Sequence, residues 1–247
     1  MALPPSHQCC TLAPAQAEYT PKGEYADFNG LKTYWTGPTD TGKAVLYVYD
    51  VFGFSPQALQ GADLLASAGY RVAIPDFLQG NYATPEMFSG TPEGNAARAK
   101  LFGGFPGVPT SQSEQIGKAL DGLKAQGYAK VGASGFCWGW KAIVSAEKVN
   151  EFDAISAAHP SFIDVADAEK IKGTPVLLLP SGGEDKATVD GLYAALEKAN
   201  PGNNFIKWYP DDVHGFAAAR ADLKDDKQRG AFHDAFVQFT NFFKAKL

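Results

Sequence analysis

Short apolar runs alternate with segments of helical periodicity from residue 44 to the end of the chain. The run AVLYVY at 44–49 has no polar interruption, which is typical of a strand buried on both faces of a parallel sheet. Similar runs occur at 71–74, 130–136, 154–158, 175–179 and 205–209. Helical spacing occurs at 56–68, 111–126, 138–148, 188–199 and 231–246. This alternation predicts an α/β fold with a mostly parallel central sheet and helices on both of its faces.

The segments outside this alternation have patterns of their own. Asn29-Gly30, flanked by alternating apolar residues, predicts an N-terminal β-hairpin. We interpret residues 1–20, which are rich in Pro, Ala and Gln, as a flexible arm, and residues 21–247 as a single domain. Residues 75–110 are too long for an ordinary connection and predict a lid or a pocket wall. Ser111, with Glu114 three residues later, predicts a capping box at the start of the next helix.

The amino-acid composition limits the kinds of molecule that the protein is expected to bind. Hydrophobic residues make up 45% of the 247, enough for a sizeable core, and the formal net charge is −5. An acidic chain is not expected to bind nucleic acid or an anionic membrane surface, because both require a basic face. The N-terminus shows no apolar run of the kind found in a secretory signal, so we expect a cytoplasmic protein, monomeric or homodimeric, that acts on a small molecule.

The cysteine count argues against a disulfide framework. The three cysteines are Cys9, Cys10 and Cys137, an odd number that includes an adjacent pair. Cys9 and Cys10 could bind a metal together with His7, but no further ligand cluster accompanies them, and a structural zinc site needs four ligands. We therefore expect no metal.

Cys137 lies in the pattern Gly-x-Cys-x-Gly, formed by Gly135-Phe136-Cys137-Trp138-Gly139 between a predicted strand and a predicted helix. This is the pattern of a nucleophile elbow with cysteine in place of serine. The following helix would offer the Trp138 N–H to an oxyanion, and its dipole would favour the thiolate. The alternative is a buried cysteine that packs as a small hydrophobic residue.

Two further groups follow later strands of the same sheet. His214 follows the last predicted strand and would serve as the base, while Asp185 follows the strand at 175–179 and would orient the imidazole. Glu184 is the rival to Asp185, and only one of two adjacent side chains can serve. The order nucleophile, acid, histidine is that of α/β-hydrolases. Ser134 lacks the flanking glycine pattern and is interpreted as a packing residue.

Four motifs together resemble the dienelactone hydrolase family of α/β-hydrolases: DVFGF at 50–54, GFCWG at 135–139, GED at 183–185 and HGF at 214–216. The resemblance runs from about residue 25 to the C-terminus. YDVFGF and HPSF, which includes Ser161, are most similar to fungal members. The resemblance implies an α/β-hydrolase fold and hydrolysis of lactones or activated esters through a thioester, with neither metal nor cofactor.

The resemblance also implies roles for other residues. Family members place a carboxylate, usually glutamate, against the thiol; the matching residue is Asp50, and the next amide, of Val51, would be the second oxyanion donor. Bacterial members hold a substrate carboxylate with two arginines. Only one of them has a candidate counterpart here, Arg220, and its spacing from the histidine is longer than in the bacterial pattern. Other candidate substrate-binding residues are His159, Phe52, Tyr82 and Trp138.

Two other functions remain open at the sequence level. The Gly-Phe-Cys-Trp stretch suggests a cysteine peptidase as one alternative. Papain-like enzymes, however, place the cysteine near the mature N-terminus with the histidine much further downstream, whereas here β-α alternation precedes Cys137 and His214 follows after only 77 positions. The changed carboxylate and the missing arginine are compatible with a non-hydrolytic small-molecule binder, or with a biosynthetic isomerase or lactone-forming enzyme, on the same fold.

Overall fold

A computed structural model describes residues 13–247, which form one eight-stranded sheet with flanking helices. The strands are β1 (Glu24–Phe28), β2 (Leu31–Thr36), β3 (Lys43–Val48), β4 (Arg71–Pro75), β5 (Lys130–Phe136), β6 (Ala154–Ala158), β7 (Val176–Leu179) and β8 (Phe205–Ile206). The helices are α1 (Pro56–Ser67), α2 (Pro92–Phe102), α3 (Ser113–Ala125), α4 (Trp138–Val144), α5 (Lys186–Ala199) and α6 (Asp226–Lys246).

The strand order is β1-β2-β4-β3-β5-β6-β7-β8. The first two strands form the predicted hairpin, in which Asn29 and Gly30 both have positive φ, as a type I′ turn requires. Strand β2 pairs antiparallel with β4, and every later pairing is parallel. The mostly parallel sheet with an N-terminal hairpin is thus confirmed.

Helices cover both faces of the sheet, as side-chain alternation along β5 shows. Gly132 faces Phe243 of α6, and the Phe136 ring stacks near Phe236 of the same helix. Gly135, three residues after Gly132, faces the backbone of α4. Because successive residues of a strand point to opposite faces, α6 and α4 lie on opposite sides of β5. The buried phenylalanines of α6 supply much of the core on their side.

The connection predicted as a lid contains regular structure that the sequence analysis missed. Within residues 75–110, Pro92–Phe102 forms α2, which begins at a Thr91 cap, and Pro85–Phe88 forms a short 3-10 turn. Gly94 is the one buried residue of α2, so the helix lacks the apolar stripe by which a sequence pattern predicts a helix.

The capping-box prediction at Ser111 was wrong. Helix α3 begins at Ser113, its cap position is Gln112, and no side chain caps it there. Ser111 lies in the preceding 3-10 turn, where its hydroxyl donates to the Val108 carbonyl. The Ser111 hydroxyl is therefore engaged within that turn and does not cap α3.

Residues 13–20 contact the domain rather than standing apart from it. The Ala15 amide donates to the Ala219 carbonyl, and the Tyr19 hydroxyl donates to Asp63 in α1. His7, Cys9 and Cys10 lie outside the described residues, so the division into an arm and a domain stays a prediction. Within 13–247, no helix is long and apolar enough to cross a membrane.

The register places several chain reversals at one edge of the sheet. Val48 of β3 pairs with Gly135 of β5, Phe136 pairs with Ala158 of β6, and Ala158 pairs with Leu179 of β7. The residues that follow these strands therefore meet where parallel strands end, which is the usual position of ligand sites in such sheets.

Candidate active site

The chain turns sharply between β5 and α4, and Cys137 is the residue at the turn. Its φ of 54° and ψ of −112° lie in a region that L-residues rarely occupy. A Cβ on Gly139 would lie 2.2 Å from the Val48 carbonyl oxygen, and one on Gly135 would lie 2.7 Å from the Trp140 nitrogen. Both positions therefore require glycine, and the predicted elbow geometry is present.

His214 contacts Glu184, not Asp185. The Nδ1 atom of His214 lies 2.6 Å from Oε1 of Glu184, and both side chains are buried. The exposed Asp185 carboxylate instead accepts from the Thr188 amide and hydroxyl, so it caps α5. These hydrogen bonds lower the pKa of Asp185. The prediction that Asp185 orients the imidazole was wrong by one residue, because the two adjacent carboxylates point to opposite sides of the chain.

The Glu184 carboxylate is held by the loop that precedes α5. Its oxygens accept from the Ser181 hydroxyl at 3.0 Å and from the Ser181 amide in a short hydrogen bond. An ionised carboxylate only accepts hydrogen bonds, so Nδ1 of His214 is the donor to Glu184. The other nitrogen, Nε2, then presents its lone pair, as a general base must.

Ser161 contacts both His214 and the thiol. Its Oγ is 3.3 Å from Sγ of Cys137 and 3.4 Å from Nε2 of His214. The Ser161 amide also donates to the Cys137 carbonyl at 3.0 Å. In the sequence, Ser161 stands out only as part of the HPSF motif, which predicts no role for it. Its one available signal was its position as a polar residue just beyond β6.

Two backbone amides are candidate oxyanion donors. Trp138 is the first residue of α4, and Val51 follows β3 at the same edge of the sheet. Among residues 13–247, neither amide has a recorded protein acceptor. Such amides, together with the positive end of a helix, suit an oxygen that becomes negative.

Asp50 connects two loops of the site. Its Oδ1 accepts from the Phe52 amide at 2.9 Å, and its Oδ2 accepts from the Ala219 amide at 3.2 Å. Burial raises the pKa of Asp50, while these hydrogen bonds and the charge of Arg220 act in the opposite direction. Asp50 thus holds the Val51 loop against the loop that follows His214. The modulation of the Cys137 thiol by Asp50 stays a prediction.

Arg220 is buried beneath aromatic rings. Its guanidinium carbon lies 5.2 Å from the centre of the Phe52 ring and 5.5 Å from that of Phe88, and Nη1 donates to the His214 carbonyl. Arg220 and Phe52 therefore lie beside the loop that carries the histidine. Cation–π contacts of this kind fix the guanidinium in place.

The other two predicted substrate-binding residues have different surroundings. His159 is fully buried, with its ring centre 5.1 Å from that of His214 and 5.7 Å from that of Phe216, so it packs behind the imidazole. Tyr82 packs over Gly53 and lines a groove of about 490 Å³ with Met87. Both are near the site, and their binding roles stay predictions.

Several contacts fix the segment from Pro85 to Gln112 to the site. The Phe88 ring packs on Phe52, and the Phe102 ring packs on Phe162, next to Ser161. The indole Nε1 of Trp138 donates to the Gly107 carbonyl at 2.7 Å. The segment therefore covers the elbow, as expected of a pocket wall.

Comparison with known proteins gives one family. Residues 31–247 match the model of the dienelactone hydrolase family. An uncharacterized AIM2 family protein of Schizosaccharomyces pombe is 34% identical, covering 96% of this chain and 98% of its own. The human carboxymethylenebutenolidase homolog is 30% identical, covering 81% of each chain. The crystal structure of dienelactone hydrolase from Anabaena variabilis, 17% identical, superposes with a TM-score of 0.63 over 92% of this chain and 98% of its own.

Proposed function

Since the chain belongs to the dienelactone hydrolase family and is a lactone or ester hydrolase, we propose that it works through a thioester formed on Cys137. The observation that carries this proposal is the strained elbow, which holds Cys137 at the start of α4 with the His214–Glu184 pair nearby. Backbone strain of this kind persists where the surrounding structure imposes it, most often at functional sites.

Acylation begins with transfer of the thiol proton of Cys137 to Nε2 of His214. The sulfur then forms a bond to the carbonyl carbon, and the carbonyl oxygen takes the electron pair of its π bond. The Val51 and Trp138 amides donate to that negative oxygen. Glu184 stabilises the imidazolium through Nδ1–H. When the carbonyl re-forms, the C–O bond to the leaving group breaks, and the alkoxide takes the proton from Nε2.

Deacylation uses the same groups in a second cycle. His214 takes a proton from water, and the hydroxide oxygen bonds to the thioester carbon. The C–S bond breaks as the carbonyl re-forms, and the departing sulfur takes the proton from Nε2 of His214, which releases the carboxylic acid and restores the thiol. In a lactone the leaving oxygen stays attached to the product, which is then a hydroxy acid, or its keto form when the lactone is an enol lactone.

The test is to incubate the protein with p-nitrophenyl acetate and with dihydrocoumarin, an aryl lactone, and to follow both turnover and the intact mass. We expect hydrolysis of both substrates and one acetyl group on the peptide that contains Cys137. Cys137→Ala should abolish both signals, whereas a Cys9→Ala, Cys10→Ala double variant, which removes the other two thiols, should retain them. Binding without turnover or adduct would contradict the proposal and favour a non-hydrolytic function.

A further inference from the structure

The Ser161 hydroxyl bridges the thiol and the imidazole, and we propose that it relays the proton between them. The inference rests on the proposed function, because it requires Cys137 to act as the nucleophile. It adds Ser161 as a catalytic residue to the Cys137–His214–Glu184 set.

The hydrogen-bonding roles along this chain of groups have one consistent direction. Glu184 accepts from Nδ1 of His214, so Nε2 is an acceptor and is directed toward Oγ of Ser161 at 3.4 Å. The Ser161 O–H can therefore donate to Nε2, while its oxygen accepts from the Cys137 S–H at 3.3 Å. Each group donates to the next, from sulfur to carboxylate.

Bulk water is excluded from this chain of groups. Cys137, Ser161 and His214 are 2%, 1% and 0% exposed, respectively. A route through protein groups therefore suits the thiol proton better than exchange with bulk solvent. The Ser161 hydroxyl provides one because it is both a donor and an acceptor.

The backbone around Ser161 fixes the hydroxyl in this position. The Ser161 amide is hydrogen-bonded to the carbonyl of Cys137 itself, which ties the relay to the nucleophile. His159 and Phe162 have positive φ values of 37° and 56°, which are unusual for residues other than glycine. The turn thus adopts two unfavourable conformations and, as a result, points the serine at the thiol.

In the relay step, the S–H bond of Cys137 breaks and its proton forms a new bond to Oγ of Ser161. In the same step, the original O–H proton of Ser161 moves to Nε2 of His214. The sulfur keeps the electron pair as a thiolate, the serine ends as a neutral hydroxyl, and the imidazole becomes an imidazolium. No electron or co-reactant is required.

The experiment compares Ser161→Ala with Ser161→Thr and with a matched control, Ser156→Ala. Ser156 is a buried serine on β6 whose hydroxyl pairs with Ser134 at 2.7 Å. The readouts are the pre-steady-state acylation rate with p-nitrophenyl acetate and the pH dependence of Cys137 alkylation by iodoacetamide. We expect Ser161→Ala to lower the acylation rate about 100-fold, within the range of general acid–base contributions. Its alkylation profile should shift to higher pH. Ser161→Thr should recover most of the rate, and Ser156→Ala should match the unmodified protein.

A proton inventory of the acylation step keeps the inference testable if Ser161→Ala fails to fold. In mixtures of H₂O and D₂O, two protons in flight give a curved dependence of rate on deuterium fraction, whereas one gives a straight line. We expect a curve for the unmodified protein and a line for Ser161→Ala. A straight line for the unmodified protein, or full activity with an unshifted profile in Ser161→Ala, would overturn the relay. If the relay is overturned but the acetyl adduct is still lost in Cys137→Ala, the proposed function remains supported.

Discussion

Two adjacent carboxylates after β7 have opposite surroundings. Glu184 is buried and contacts the imidazole of His214, whereas Asp185 faces solvent and caps α5. A carboxylate that holds a catalytic imidazole stabilises its charged form, and a helix cap contributes only to folding. Substitutions at these two adjacent positions are therefore expected to separate an effect on activity from an effect on stability.

We predict that Glu184→Gln lowers kcat about a thousandfold or more, because an amide in place of the carboxylate cannot stabilise the imidazolium. Asp185→Ala should keep the unmodified kcat and lower the melting temperature modestly, because it removes only the α5 cap. Steady-state kinetics with p-nitrophenyl acetate and thermal unfolding of both variants test this. The reverse ranking in kcat would contradict the assignment of Glu184.

The Asp50 carboxyl gives a prediction about pH. Burial raises its pKa above the ordinary value of 3.8, against the hydrogen bonds from Phe52 and Ala219. Between the two pKa values the folded protein holds a proton that the unfolded chain has lost, so stability falls as pH rises through this range. Above the folded-state pKa the loss is complete and constant.

Relative to Asp50→Asn, the unmodified protein should therefore lose stability as pH rises from about 4. Urea unfolding of both proteins across pH 4 to 8 gives the difference in free energy of unfolding. The exposed Asp40→Asn serves as the control for the removal of one surface carboxylate. A difference that stays constant, or that changes in the opposite direction, would show that burial does not dominate at Asp50.

At the scale of elements, a few contacts with the site hold the segment from Pro85 to Gln112 in place. The Trp138 indole donates to the Gly107 carbonyl, whereas Nε1 of the neighbouring Trp140 has no acceptor among residues 13–247. Both indoles are fully buried. Replacing each by Phe removes a similar volume, but only Trp138→Phe removes a hydrogen bond and leaves a buried carbonyl without it.

We predict that Trp138→Phe increases the rate of limited chymotrypsin cleavage after Phe102, beside the exposed residues 103–105, relative to Trp140→Phe. The lost hydrogen bond is worth about 1 kcal/mol, or roughly a fivefold change in local opening. Because Trp138→Phe keeps its backbone amide, kcat should change less than the cleavage rate. Equal cleavage of the two variants would show that the indole contact does not anchor the segment.

The elements that sequence patterns revealed are those with strong burial. The runs that became β3 to β7 are apolar because both of their faces are covered, and Asn29-Gly30 is one of the few dipeptides that suit a tight hairpin. Helix α2 was missed because it buries almost nothing, and the start of α3 was misplaced because a 3-10 turn replaced the expected cap.

The candidate active site was predictable to the level of loops but not of atoms. Polar residues after parallel strands pointed to Cys137, His214 and the Glu184-Asp185 pair, since all parallel strands end at one edge. Which carboxylate faces the histidine depends on the local backbone, which no residue pattern encodes. Ser161 reaches the thiol only through a turn with two positive φ values, an arrangement that His159 and Phe162 give no reason to expect.

Across the whole molecule, backbone strain lies close to the chemistry. Cys137, His159 and Phe162 are three of the five non-glycine residues with positive φ in the described chain, and they surround the thiol and Ser161, the proposed relay. Such conformations cost about 1–3 kcal/mol each and persist because the packed sheet and helices impose them. The fold therefore gives up stability at the edge of the sheet where reactivity is required.

This arrangement makes an otherwise unusual substitution favourable. Glycine adopts φ of 54° without the penalty that a Cβ carries, so we predict that Cys137→Gly is more stable than Cys137→Ala by about 1 kcal/mol. At Ala133, inside β5, glycine should instead be destabilising by about 1 kcal/mol or more. Urea unfolding of the three variants and the unmodified protein measures these differences. If Cys137→Gly were less stable than Cys137→Ala, the elbow would carry no strain that the Cβ causes, and its geometry would have to be attributed to packing alone.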